Sequence, residues 1–314
     1  MSDKESQLIG QHPRVLITGG LGFLGLAVAR RFKADGYCVY GIGHGIPSSL
    51  TAIIYEKWIT ADISLESLHK LGVDFDVVVH CAGPNSVGQS FLNPKETFQS
   101  SILSTLILLE YLRQAAPNAM LIYASSAAVY GVADDRPLTV RDQPNPVSPY
   151  GYYKWMAELL LKSHAESFGI KFIAVRFFSI YGVELKRQLL WEASLKLMSE
   201  NHASIFWGTG QETRDWIHVD DAVDLIAHLA LNAPPSLRLI NGGTGIRMTI
   251  KQTLHQLRNA LGNSSEIIFN GKVRAGDPIY YLADMTDAVN IGWRPKVNFS
   301  KAIIDYAQWV KDAK

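Results

Sequence analysis

Tyr150 and Lys154, in the run Ser148-Pro149-Tyr150-Gly151-Tyr152-Tyr153-Lys154, are the residues best spaced to do chemistry. On a helix that begins near Pro149 they lie one above the other on one face. A phenol ordinarily has a pKa of about 10, too high for a base near neutrality. A neighbouring ammonium favours the phenolate and suits it to proton exchange with an alcohol or a ketone. Tyr152 and Tyr153 have no lysine four residues on, so Tyr150 is the candidate. The same spacing also describes an ordinary solvated helix face. Alcohol chemistry therefore requires a hydride acceptor, and elements that bring it to the pair.

The acceptor's cradle lies near the start of the chain. Arg14-Val-Leu-Ile-Thr18 reads as a buried parallel strand and runs into Gly19-Gly20-Leu21-Gly22-Phe23-Leu24-Gly25, then a helix to about Asp35. Gly20, Gly22 and Gly25 fit the dinucleotide fingerprint, and Gly19, Gly22 and Gly25 fit its wider variant. Such glycines let the chain approach a pyrophosphate at a helix N-terminus. A second strand over 38–42 follows. An NAD site usually ends that strand with an acid for the ribose 2′-hydroxyl, whereas this chain reads Ile42-Gly43-His44-Gly45. His44 is the nearby cation candidate for a 2′-phosphate, so NAD and NADP both stay open. Asp62, after a strand over 57–60, is placed to bond the adenine amine or simply to make a turn.

Val77-Val-Val-His80 reads as a fourth strand that delivers Cys81-Ala82-Gly83 beside the cofactor. A helix over 95–115 is apolar around more than one face, which predicts burial on two sides by a subunit interface or a three-layer core. A fifth strand over 119–124 leads to Ser125 and Ser126. The helix after Tyr150 extends to Phe168 with Met156, Leu159, Leu160 and the stem of Lys162 as packing candidates, Gly169 caps it, and a sixth strand spans 172–176. This alternation predicts an α/β chain with a doubly wound parallel sheet.

Beyond Ser179 the alternation is lost. Helices are expected over 189–200, from Asp220 to about 231, over 249–261 with Thr249 as cap, and over 300–311 with Ser300 as cap; strands are expected over 203–207 and 237–241. The expected organisation is a loose N-terminus over 1–12 and a Rossmann-type dinucleotide-binding domain over 13–179 that recruits about 216–242. A smaller, interleaved C-terminal substrate-binding lobe is expected over 180–215 and 243–314. Arg176, Arg214 and Arg274 sit at or near loop positions of this half, where a guanidinium fork suits a pyrophosphate.

Composition narrows the partners. In 314 residues, Lys plus Arg number 30 against 29 acids, so no bulk charge calls for nucleic acid or an anionic membrane. No run approaches the roughly 20 apolar residues of a membrane helix, and residues 1–11 lack a secretory pattern. Cys38 and Cys81 lie in apolar runs as packed free thiols, which suits a reducing cytoplasm. The histidines have no metal-ligand spacing, so no metal is expected.

The order of these features resembles the extended short-chain dehydrogenase/reductase family, the NAD(P)-dependent sugar-nucleotide epimerases and dehydratases, in particular its UDP-glucose 4-epimerase-like members. The resemblance runs from Val15 to Pro295. It rests on Thr18-Gly-Gly-Leu-Gly-Phe-Leu-Gly25, His80-Cys-Ala-Gly83 with Val87-Gly88 and Ser90, Ser125-Ser126-Ala-Ala-Val-Tyr-Gly131 and the Tyr150–Lys154 run. It continues through Arg176-Phe-Phe-Ser-Ile-Tyr-Gly182, Gly208-Thr-Gly-Gln-Glu-Thr-Arg-Asp215, Asn241-Gly-Gly-Thr-Gly245, Arg274-Ala-Gly-Asp-Pro278 and Gly292-Trp-Arg-Pro295.

The resemblance implies Ser126, Tyr150 and Lys154 as the catalytic group. Ser126 would bond the reacting sugar oxygen, Tyr150 would be acid and base, and Lys154 would bond the nicotinamide ribose and lower the tyrosine's pKa. It further implies cofactor contacts from Gly19, Gly22, Phe23, Leu24, Gly25, His44, Asp62, Ile63, Cys81, Ala82 and Gly83. Substrate contacts would come from Ser86, Ser126, Ser179, Arg214 and Arg274, with Arg176 structural. A homodimer through a helix pair is implied as well.

Departures refine the implied reaction. The family's dehydratases carry an acid directly after the catalytic Ser or Thr, where this chain has Ala127 and Ala128, which argues against 4,6-dehydration. Ser179 stands where an asparagine is usual, and Pro84 and Asn85 replace the usual residues beside the nicotinamide. The leading expectation is a nucleoside-diphosphate-hexose 4-epimerase acting by reversible hydride transfer at C4. A 4-keto-sugar-nucleotide reductase using NAD(P)H is the alternative, and a non-catalytic nucleotide-binding protein would need a degraded catalytic trio.

Overall fold

Val15, Leu16 and Ile17 are fully buried, as are Val78 and Val79. Strands with both faces covered read as continuous apolar runs and belong to parallel sheets packed between helices. The computed structural model, which describes residues 12–72, 74–84, 86–199, 202–272, 276 and 279–313, has that arrangement. Its first half comprises β1 (Arg14–Thr18), α1 (Phe23–Ala34), β2 (Cys38–Gly43), α2 (Ser49–Ala52), β3 (Lys57–Thr60), α3 (Leu65–Leu71) and β4 (Val77–His80). Next come α4 (Val87–Leu92), α5 (Pro94–Phe98), a π-helical segment (Gln99–Leu103), α6 (Ser104–Ala115), β5 (Met120–Ser126), α7 (Pro149–Phe168) and β6 (Lys171–Phe177). The second half comprises β7 (Ser179–Tyr181), α8 (Gln188–Ser199), β8 (Ala203–Phe206), β9 (Thr213–His218), α9 (Val219–Asn232), β10 (Leu239–Gly242) and β11 (Arg247–Thr249). It ends with α10 (Ile250–Leu261), β12 (Glu266–Phe269), α11 (Thr286–Asn290) and α12 (Phe299–Asp312).

The seven-stranded sheet runs β10-β6-β5-β4-β1-β2-β3 and is parallel throughout. It is a Rossmann-type doubly wound sheet. One face packs Val28 and Phe32 of α1 with Leu225, Ile226 and Leu229 of α9; the other packs Leu68, Leu108, Leu112 and Leu161 of α3, α6 and α7. A separate core joins α8, α10 and α12 through Leu197, Leu254, Leu257, Ile303 and Tyr306. Two small sheets, β11-β9-β7 and β12-β8, lie on that side of the chain. Among the described residues no helix is long and apolar enough to cross a membrane.

Several local expectations are corrected. Met156, Leu159 and Lys162 of α7 are exposed; the buried stripe is Gly151, Lys154, Ala157, Glu158 and Leu161. The stripe facing the sheet thus carries two charged residues, and apolar side chains point outward. The helix predicted over 95–115 is not buried on two sides among the described residues of one subunit, because Phe98, Leu103 and Leu106 are 40–44% exposed. A π-helical segment also interrupts it. The run Ser100, Ser104 and Thr105 returns hydroxyl hydrogen bonds to the carbonyls of Glu96, Ser100 and Ser101, a habit that bends helices. The last helix starts under Asn298, whose side chain accepts from Lys301 N, rather than under Ser300. His218 caps α9 ahead of Asp220 by accepting from Asp220 N.

Candidate active site

Parallel strands present their carboxyl ends on one edge, and the loops leaving that edge gather the predicted residues. Helix α7 begins at Pro149 under the cap of Ser148, whose hydroxyl accepts from Gly151 N at 3.1 Å. Pro at the first helical position is pre-set in φ. The Tyr150 amide donates to Ser90 Oγ at 3.1 Å, which ties this turn to α4. The side chain of Ser126, at the end of β5, lies beside the Tyr150 hydroxyl and lowers its pKa. Lys154, 6% exposed, donates from Nζ to the Ala124 carbonyl of the same strand at 2.7 Å, with Nζ 4.9 Å from the Tyr123 ring centroid and 5.8 Å from that of Tyr150. Ser126, Tyr150 and Lys154 therefore converge.

Their electrostatics depart from the expectation. Burial pushes the Tyr150 phenol above its ordinary pKa, and what pulls it back is first the neighbouring Ser126 hydroxyl and then the positive charge of Arg187, not Lys154. Burial likewise lowers Lys154 to about 8, against opposing contributions from Cys81 and Glu158. Arg187, just before α8, was missed in the sequence. It is half-buried, its Nε is buried without a hydrogen-bond partner, and no local motif marks it.

The glycine loop fits a dinucleotide. Gly19 has φ +67° and a Cβ there would lie 2.9 Å from the Ala82 backbone; a Cβ on Gly25 would strike the Gly19 carbonyl. Gly22 caps α1 and Phe23 and Leu24 form its first turn, packed against the sheet core. Behind this loop a buried chain of hydrogen bonds holds Cys81 and Ala82. Ala82 N donates to Thr18 Oγ1 at 3.2 Å, Thr18 Oγ1 lies 2.6 Å from His80 Nδ1, and His80 Nε2 lies 3.0 Å from Thr105 Oγ1. Thr105 donates to the Ser101 carbonyl at 2.5 Å, so it accepts from Nε2–H and leaves Nδ1 to accept from Thr18. Burial, aided by Lys154, holds His80 down to about 3, and the ring is neutral. Burial also pushes the Cys81 thiol up to about 12. Gly83 stands with its Cβ position 3.4 Å from the Ser100 carbonyl of the π-helical segment. Next to it the Ser101 hydroxyl, 3% exposed, is buried without a partner. Both the glycine cradle and this orphaned donor suit a bound dinucleotide.

At the other end of the groove His44 Nε2 and Asp62 Oδ1 pair at 2.7 Å, with side chains 82% and 90% exposed. Ile63 beside them packs on the sheet core. Ser86 is occupied as the cap of α4, accepting from Gln89 N at 3.3 Å. Ser179 opens β7 opposite Trp216 of β9. Arg214 lies on β9 with Nη1 donating to the Thr213 carbonyl at 2.9 Å, and its charge reaches Tyr281. Its neighbour Asp215, fully buried, accepts from Thr244 N and Oγ1, Gly245 N and Ala283 N, and so ties two segments to β9. Arg274 and Asn85 lie outside the described residues. Arg176 is not at a loop: it sits inside β6, 2% exposed, paired with Glu158.

Comparison with known proteins agrees with this geometry. Residues 15–241 match the model of the NAD dependent epimerase/dehydratase family. The chain is 27% identical over 314 residues to a UDP-glucose 4-epimerase of Corynebacterium glutamicum, covering 94% of each chain. It is similar, at 25% identity and a TM-score of 0.85, to the structure of UDP-glucuronic acid 4-epimerase from Bacillus cereus in complex with UDP-glucuronic acid and NAD, covering 96% of this chain and 100% of that one. A UDP-glucose 4-epimerase from Thermotoga maritima shares the fold at a TM-score of 0.85 and 24% identity, over 96% of this chain and 99% of the other. With the glycine cradle, the parallel sheet and the family match together, the chain belongs to the NAD dependent epimerase/dehydratase family, of the extended short-chain dehydrogenase/reductase type.

Proposed function

We propose that this chain is a nucleoside-diphosphate-hexose 4-epimerase. The observation that carries the reading is the convergence of Ser126 and Tyr150 at the end of β5 over Lys154, fixed to the Ala124 carbonyl, with Ala127 and Ala128 where a dehydratase needs an acid. The relatives named above, a UDP-glucose and a UDP-glucuronic acid 4-epimerase, support it.

A bound nicotinamide dinucleotide supplies reversible hydride exchange at C4 of the sugar. Tyr150 moves the proton of the C4 oxygen, and the Ser126 hydroxyl beside it holds that oxygen. An ammonium has three donors; one fixes Lys154 to Ala124, and the others serve the cofactor ribose. Gly19, Gly22 and Gly25 admit the pyrophosphate, with Phe23, Leu24, Ile63, Cys81, Ala82 and Gly83 lining the groove and His44 and Asp62 at its adenine end. Ser86, Ser179, Arg214 and Arg274 are assigned to the sugar nucleotide, within a substrate lobe of residues 180–215 and 243–314. The dinucleotide domain is taken as 13–179 with contributions from 216–242.

A homodimer belongs to this reading. The outward stripe Tyr152, Met156 and Leu159 of α7 lies beside Phe98, Leu103 and Leu106 and offers an apolar face that a second copy would cover. A cytoplasmic location is supported by the free thiols Cys38 and Cys81.

A second reading, a 4-ketoreductase, is favoured by one observation: β2 ends at Gly43-His44 with no acid to exclude a 2′-phosphate. Denaturing the purified protein and identifying the released nicotinamide separates the two. Retained NAD, with UDP-sugar interconverted in the absence of reductant, supports the epimerase. Protein without dinucleotide that consumes NADPH stoichiometrically with a 4-keto sugar refutes it.

A further inference from the structure

Helix α7 is fastened to β5 by three rungs one turn apart, and two of them are the trio already described. The Tyr150 phenol stands beside Ser126, Lys154 donates to the Ala124 carbonyl, and one turn further on Glu158 accepts from Ser125 Oγ at 2.6 Å. Ser125 is the direct neighbour of Ser126 and stands opposite Arg176 in the β5–β6 register. Arg176 grips Glu158 with both prongs of its fork, Nε to Oε1 at 3.1 Å and Nη2 to Oε2 at 2.7 Å. The pair is 3% and 5% exposed. The guanidinium lies 4.8 Å from the centre of the Tyr130 ring, whose hydroxyl donates to Asn241 Oδ1 at 2.6 Å. The third rung is thus anchored in turn to β6 and β10.

A buried ion pair is seldom needed for stability, since apolar residues of similar volume serve as well or better. Its neighbours suggest another use. The groups around the Lys154 ammonium are His80 and Cys81 from β4 and the loop after it, Tyr123 from β5, and Tyr150 and Glu158 from α7, with Arg176 of β6 behind Glu158. His80 is neutral, and the Cys81 thiol, the Tyr123 hydroxyl and the Tyr150 hydroxyl are all pushed up by burial. Among these groups Glu158, in its ion pair with Arg176, is the carboxylate. We propose that Glu158 is a positioning residue for the reaction: clamped by Arg176, it sets the register of α7 on β5 through Ser125 and supplies the counter-charge that keeps the Lys154 ammonium in place.

This inference rests on the reading of Tyr150 and Lys154 as catalytic, and its test separates the two. Turnover of UDP-glucose and of UDP-glucuronic acid is followed against pH in Glu158→Gln, Arg176→Met and Tyr150→Phe. Glu158→Gln leaves Arg176 uncompensated beside Lys154, so the basic limb of kcat moves to lower pH by about one unit, a tenfold loss above it. Arg176→Met leaves the carboxylate uncompensated and moves the same limb to higher pH, with KM unchanged in both. Opposite shifts are not what a structural role alone produces. Limbs that stay in place, or move together, overturn the assignment, provided Tyr150→Phe has lost turnover; retained turnover there refutes the trio instead. Should the charge variants fail to fold, Ser125→Ala removes one hydroxyl and leaves the ion pair. A several-fold fall in its kcat at constant KM supports the register argument, and wild-type kcat overturns it.

Discussion

Two side-chain pairs, the ion pair Arg176–Glu158 and the contact His44–Asp62, have opposite surroundings. Arg176–Glu158, beneath Tyr150 and Lys154, is 3% and 5% exposed and bonded on both sides. His44–Asp62, at the far end, is 82% and 90% exposed and has water for a competitor. Exposed pairs contribute little and are screened by salt, whereas one partner of a buried pair is costly to remove. On the proposed function, the end assigned to the proton is held by buried hydrogen bonds and the end assigned to the choice between NAD and NADP is left adjustable, so that chemistry and cofactor preference would be separable.

That contrast can be broken in order of expected effect. Tyr150→Phe should lose roughly 100- to 10,000-fold in turnover, the share general acid–base catalysis supplies, while the dinucleotide released on denaturation stays at the wild-type level. Near-normal turnover would remove the phenol from the reaction. Glu158→Ala should cost roughly 3–5 kcal/mol by urea denaturation, because it strands a buried guanidinium. Asp62→Ala, at the exposed pair, should stay within about 0.5 kcal/mol, and similar midpoints for the two variants would erase the distinction. The smallest effect is expected from His44→Ala. It should change the ratio of NADP to NAD affinity by less than about tenfold, an exposed charge contact contributing up to about 1 kcal/mol, without altering kcat. A large fall in kcat there would tie the adenine end to the chemistry.

Much of this was legible in the sequence, for physical reasons that also mark where legibility stops. Continuous apolar runs such as Val77–His80 can hardly be anything but buried parallel strands, and the glycines after Thr18 come in the one order that suits a pyrophosphate. Tyr150 and Lys154 stood out by type and spacing, Ser126 entered through the family resemblance, and the fold brings all three to the end of β5. Helix α7 was misread at its packing face because its inward stripe carries Lys154 and Glu158 while Met156 and Leu159 face out. A periodicity argument assumes that charge points to water, and here tertiary partners on β5 and β6 overturn it. The π-helical segment is one extra residue in a helical turn and leaves no compositional mark. Arg187 reaches Tyr150 only through the fold, and so was missed; Arg176, read as the end of the sixth strand and near a loop, sits inside β6 with a partner 18 positions away that no local pattern announces.

The central claim is that hydride leaves C4 of the sugar and returns to the same carbon while Tyr150 handles the proton. UDP-glucose and UDP-glucuronic acid carrying deuterium at C4, incubated with the protein without added reductant, test it directly. The account predicts a 4-epimer of at least one of them with the deuterium still on C4 and none lost to water. A 4-epimer that has exchanged its label with solvent, or turnover that appears only when NADPH is added, would contradict it.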